Sequence, residues 1–232
     1  MKQILSLAAA ALICASCFHV NSNFKGTVGG KDAIKGEGPV VSKTFEDLKD
    51  FDAIEINGQA DVTFTQSAAY EVTLHTQENI LDYVDYHLEG TTLVIQLKDR
   101  RTARAEKYDL VIQAPDLRKI EVNGAADLKM PAGLRTEGDL AVEVNGAGDL
   151  DFAGIRCNSL KMTANGAADI TASALDVQSL KVEVNGAGDV NLDGQAGDAS
   201  LSVNGAGDID ARNLKVAGKV SKHASGLAKI RS

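Results

Sequence analysis

Five aspartates recur behind an Asn-Gly pair. N-G-A-A-D begins at Asn123 and Asn165, and N-G-A-G-D begins at Asn145, Asn185 and Asn204, so the acids are Asp127, Asp149, Asp169, Asp189 and Asp208. If equivalent residues stack, these carboxylates form a column about 5 Å apart, and neighbours repel by about 1 kcal/mol in water. Hard divalent cations prefer carboxylate oxygen, so calcium is one form of relief and makes the five residues candidate metal ligands. The other is local: each Asp accepts from backbone N–H groups of its own corner. Glu121, Glu143 and Glu183 add a second acidic stripe, broken by Thr163 and Ser202 and flanked by Lys119, Lys161 and Lys181. Local bonding is the preferred reading, because the calcium-binding G-G-x-G-x-D nonapeptide has a shorter period and more glycine. No metal or other cofactor is therefore expected.

The asparagines of the motif, with Asn57 in the related Asn57-Gly58-Gln59-Ala60-Asp61, are read as structural. They either bond amide to amide along the stack or hold a left-handed corner. Other chemistry is thin. His19, His75, His87 and His223 lack metal-ligand spacing, and neither G-x-S-x-G nor a P-loop occurs. Asp82 and Asp85 read as solvated acids rather than a hydrolase pair. Arg118, Arg135, Arg156 and Arg212 sit at unmatched offsets, unlike a lyase base repeated on a coil. No catalytic residue is assigned.

The elements that carry these residues follow from the period. Leu180, Val182 and Val184 precede one motif, and Val190 and Leu192 follow it; Leu140, Val142, Val144, Leu150 and Phe152 repeat the pattern. Alternation with period two means strands with one buried face. A repeat of about 20 residues means a fixed circumference stacked turn upon turn. The expected fold is all-β: a single-stranded parallel β-helix, or solenoid, of about 20-residue coils over 119–232, with a less regular N-terminal β cap over 43–118. Five coils give a rod segment of about 20–25 Å. In that cap, Asn79 is expected to cap a short helix through Tyr86. Lys222 and Lys229, in a decayed last copy, replace an apolar residue and the motif Asp, as charges that protect an open strand edge do.

The N-terminus addresses the chain. Lys2, an apolar run from Ile4 to Ile13 and the small residues Ala15 and Ser16 read as a signal peptide over 1–16. Cys17 follows, as at a bacterial lipoprotein acceptor, so the thiol is expected to carry lipid, and 17–42 to be a tether. Acyl chains contribute about 0.8 kcal/mol per buried CH₂, which makes a membrane the first partner. Phe18, in place of an inner-membrane retention Asp, favours the outer membrane of a Gram-negative cell. With Cys14 and Cys17 so placed, Cys157 is alone and no disulfide framework is expected.

Composition excludes whole classes. The chain has 232 residues, 44% hydrophobic and 24% charged, with net charge −8. That is neither disordered nor polytopic, and its sign argues against nucleic acid as a partner. Trp is absent, which removes the best sugar-stacking ring.

The ordered set Phe51-Asp52-Ala53-Ile54-Glu55-Ile56-Asn57-Gly58, Ala60-Asp61-Val62, Tyr70-Glu71-Val72, Glu78-Asn79-Ile80-Leu81, Leu93-Val94-Ile95 and the repeated V-N-G-A-G-D resembles the head GIN domain family over about 42–230. That family carries the label "putative auto-transporter adhesin" and is common in Bacteroidota lipoproteins. The resemblance implies a β-helix-like fold on a secreted or envelope-anchored protein and brings no catalytic residues. The expected function is a non-enzymatic, lipid-anchored envelope protein whose solenoid presents a binding or adhesion surface to a protein or glycan. The alternatives are a lyase-like polysaccharide enzyme using a cation on the acidic face, and a periplasmic scaffold contacting another envelope protein.

Overall fold

The computed structural model describes residues 33–232; the expected signal peptide over 1–16, Cys17 and the start of the expected tether lie outside the described residues. The strands are β1 (Ile34–Lys35), β2 (Val40–Thr44), β3 (Ala53–Gln66), β4 (Glu71–Gln77), β5 (Val84–Glu89), β6 (Thr92–Leu97), β7 (Ala103–Arg104) and β8 (Tyr108–Ala114). They continue with β9 (Lys119–Met130), β10 (Leu134–Arg135), β11 (Asp139–Ala153), β12 (Ile155–Gly186), β13 (Val190–Gly205), β14 (Asp208–Val216), β15 (Val220–Gly226) and β16 (Lys229–Arg231).

From β9 onward the chain winds as a parallel β-solenoid of about five turns. Register equates the repeats: Asn145 lies opposite Asn123 on one side and Asn165 on the other, and Asn185 opposite Asn204. Alternate residues point inward, and Leu160, Met162, Ala164, Ala168, Ile170 and Ala172 are all at most 1% exposed. Equivalent side chains of successive coils thus fill one continuous apolar column, the main driving force for folding. The interior is thin, so many inward positions are Ala or Val. Aromatic residues collect in the cap, where Phe51 and Phe64 are buried.

The turns differ in kind from the corners the sequence suggested. The inward alternation passes through N-G-x-x-D without a slip, and the pairing continues along it. It slips by one residue elsewhere: Phe152 and Ile155 are both buried, and so are Cys157 and Leu160. The coil therefore changes face at Ala153-Gly154 and at Asn158-Ser159. None of the motif asparagines has positive φ, whereas Ala174, beside the first of these slips in the next coil, has φ 51°.

The solenoid begins before residue 119. β3 lies parallel to β9 with Asn57 opposite Asn123 and Asp61 opposite Asp127, so the first coil is inside the stretch expected to be only cap. On its other side β3 pairs with β6 and β8. The antiparallel pairs β5–β6, β4–β8 and β2–β4 close that end. Two further expectations are corrected. Residues 33–42 are not all tether: Ile34 pairs with Ala103 and is buried, and Val40 opens β2. Asn79 does not cap a helix through Tyr86. The turn is a 3-10 helix, Glu78–Tyr83, preceded by Gln77. Asn79 instead ties the incoming chain down, accepting from Glu37 N (2.8 Å) and donating to Lys35 O (2.8 Å).

At the far end the stack is open. Every residue of β15 is exposed, and Leu227 is 86% exposed. Lys222 pairs with Leu201 and Lys229 with Asp208, so both lysines stand on the last exposed rung.

Candidate functional site

The repeat motif builds one face of the rod. In register, the asparagines form an amide ladder: Asn123 donates to Asn57 (3.1 Å), Asn145 to Asn123 (3.0 Å) and Asn165 to Asn145 (2.9 Å). Asn185 donates to Asn165 (2.9 Å) and Asn204 to Asn185 (3.0 Å). The Ser225 hydroxyl, in the place of a seventh Asn, donates to Asn204 Oδ1 (2.9 Å). Stacked amides suit a parallel in-register sheet, since each presents a donor and an acceptor along the same line. The second amide hydrogen reaches the Glu two residues earlier: Asn57 to Glu55 (2.8 Å), Asn123 to Glu121 (3.0 Å) and Asn145 to Glu143 (3.4 Å).

In every coil after the first, the glycine that follows the Asn is required by the stack. A Cβ on Gly166, where φ is +152°, would lie 2.0 Å from the carbonyl oxygen of Gly146 in the preceding coil. At Gly58, in the first coil, nothing lies within 4 Å of such an atom. Close packing of one coil's backbone on the next, more than turn geometry, accounts for the repeated glycine.

Four of the five aspartates accept from the following coil, not from their own corner. Asp127 Oδ1 accepts from Asp149 N (3.1 Å), Asp169 from Asp189 N (2.8 Å), Asp189 from Asp208 N (3.0 Å) and Asp208 from Lys229 N (3.0 Å). Arg231 also binds Asp208 at 2.9 Å. These bonds to the ionised form offset part of the repulsion in the column. The rest persists. Burial first, then the carboxylates of Asp127 and Asp169, raise the pKa of Asp149; burial, Asp127 and Asp109 raise that of Asp61.

The glutamate stripe is relieved by the neighbouring lysines, with Lys119–Glu121 at 2.7 Å and Lys181–Glu183 at 2.9 Å. Hydrogen bonds from Lys119 and then Asn123 hold Glu121 below the usual carboxylate range. Among the described residues, no group of three or more His, Cys, Asp or Glu is placed to hold a metal ion. Nor, among them, is any helix long and apolar enough to cross a membrane.

A second surface was not read from the sequence, although a running charge count would have found it. Residues 211–232 contain Arg212, Lys215, Lys219, Lys222, Lys229 and Arg231 and no acidic residue. Arg212 and Arg231 are paired with Asp210 and Asp208. Among the described residues Lys215, Lys219, Lys222 and Lys229 form no ion pair. Beside them is an open groove of about 580 Å³ lined by Lys181, Lys219, Asp198 and the serines 179, 200 and 221. Its hydroxyls and ammonium groups can hydrogen-bond an anionic chain. It offers no nucleophile–base pair and no aromatic stacking ring.

Known proteins of the same shape can now be set beside this geometry. The family model described as "Putative auto-transporter adhesin, head GIN domain" matches residues 50–232. A crystal structure from Bacteroides fragilis titled a putative adhesin superposes with a TM-score of 0.71 at 20% identity, covering 86% of this chain and 99% of that one. A second, from Parabacteroides distasonis and also titled a putative adhesin, gives 0.75 at 22% identity, with 86% and 84% covered. At these identities the likeness is one of fold. No curated protein matches the sequence.

Proposed function

The chain belongs to the head GIN domain family, and on that premise we propose that it is a non-enzymatic, lipid-anchored envelope protein whose solenoid carries an adhesion surface at its open basic end. The supporting observation is that the two ends of the rod are unlike. The N-terminal segment enters at the capped end, where Ile34 joins the core beneath β7. At the other end β15 is exposed throughout, and Lys215, Lys219, Lys222 and Lys229 form no ion pair among the described residues. A lipid on Cys17 would hold the cap toward the outer membrane and direct the basic end away from it. The partner is a glycan or protein of acidic character, since steering by a patch of one sign favours the opposite sign.

Two measurements test this. Metabolic palmitate labelling should mark the wild type and not Cys17→Ala. Adhesion of cells displaying the protein should fall on charge reversal of Lys215, Lys219, Lys222 and Lys229 together, and should weaken with salt. Adhesion that is indifferent to both would refute the placement of the surface.

A further inference from the structure

We propose that Asn204 is a selective site of spontaneous deamidation, timed by fraying of the last coil. The six Asn-Gly pairs all carry the chemistry. When the backbone is free, the glycine nitrogen attacks the Asn Cγ, a C–N bond forms and ammonia leaves with the displaced proton. Water then opens the five-membered imide at either carbonyl, giving aspartate or isoaspartate. Glycine permits this because it has no side chain to shield its nitrogen.

The ladder suppresses the reaction at five of the six pairs. Asn123, Asn145, Asn165 and Asn185 each have an asparagine bonded above and below. Their backbones are paired with a coil on both sides, and attack would need the paired strand to rotate away. Asn57 is enclosed between β6, where it faces Gln96, and β9. Asn204 differs. It is exposed, as Asn185 also is, but what lies above it is β15, a strand whose seven residues are all exposed. Its amide oxygen is held by the Ser225 hydroxyl, and the adjacent backbone by Leu227 N to Gly205 O (2.9 Å). Segments with little buried surface open at low free energy, far below global unfolding. Loss of β15 leaves Asn204 and Gly205 paired on one side only, with Asn185 and Gly186, while the coils beneath stay folded. The product places a carboxylate against the Asn185 amide oxygen, which then faces an acceptor instead of a donor, and isoaspartate adds a backbone carbon to a register that tolerates none.

Peptide mapping of the folded protein incubated at mildly alkaline pH tests the proposal, with isoaspartate identified by enzymatic methylation. Rates at each pair are divided by those measured in denaturant, where all six should react. The expected result is that Asn204 leads the other five by at least tenfold, and that Ser225→Asn, which extends the ladder, slows Asn204 alone. Equal protection at Asn204 and Asn165, or uniform modification of all six, would overturn it.

Discussion

Asn204 donates to Asn185 and accepts from Ser225, so the amide ladder ends in a hydroxyl on a strand without buried residues. The order along the ladder is thus an order of protection, and substitutions along it should have unequal effects.

Asn165→Ala removes a donor to Asn145 and leaves the Asn185 amide without its acceptor. It should lower unfolding free energy by about 1–3 kcal/mol. Asn204→Ala should cost less, because its upper neighbour is only a solvated hydroxyl. Denaturant melts of both variants decide this.

Gly166→Ala should cost at least about 3 kcal/mol, combining a positive φ with contact against the Gly146 carbonyl. Gly58→Ala carries the backbone strain alone and should cost about 1–3 kcal/mol. A Gly58 variant as unstable as the Gly166 variant would mean that strain, not coil contact, explains the repeated glycine.

Ala174→Gly should leave stability unchanged or raise it by up to about 1 kcal/mol, since Ala174 holds φ 51°, a conformation that disfavours a Cβ. A thermal shift reads the sign.

The Asp149 carboxyl has a raised pKa in the folded chain. The folded state therefore binds its proton more tightly than the unfolded state. Its contribution to stability is fully present below the unfolded pKa and is lost as pH rises through the folded one. Asp149→Asn should accordingly raise the melting temperature at neutral pH, with the gain shrinking as acid protonates the wild-type residue. Millimolar calcium should leave the melting temperature unchanged, and a calcium-dependent rise that disappears in this variant would restore the cation reading of the column.

Burial pushes the Cys157 thiol up to about 11. Because the thiolate is the nucleophile, alkylation at pH 8 should be slow in the folded protein and fast in denaturant. Rapid labelling of the folded chain would show that coil edge to be open.

The solenoid was legible because its period, its inward alternation and its Asn-Gly pairs repeat in five copies, and stacking multiplies each weak signal. Expectation failed where a residue acts on a partner that sequence spacing hides. Asp169 reads as bonding its own corner, but the N–H that satisfies it belongs to Asp189, one coil on. The first coil was hidden in the cap because Asn57 and Asn123 are 66 residues apart. Val40–Thr44 shows no inward alternation because it is an exposed edge strand. Asn79 has the composition of a helix cap, but long-range bonds to Lys35 and Glu37 engage it. The basic end eluded motif reading because it is a property of a region, not of a spacing.

The excursion between β3 and β9 leaves Asn57 and Asn123 aligned as though nothing intervened. What must be conserved is only the place where a segment departs and rejoins. Whole turns can be gained or lost beneath it in steps of one repeat, so that the distance the molecule reaches is adjustable while the parts at its two extremities stay as they are.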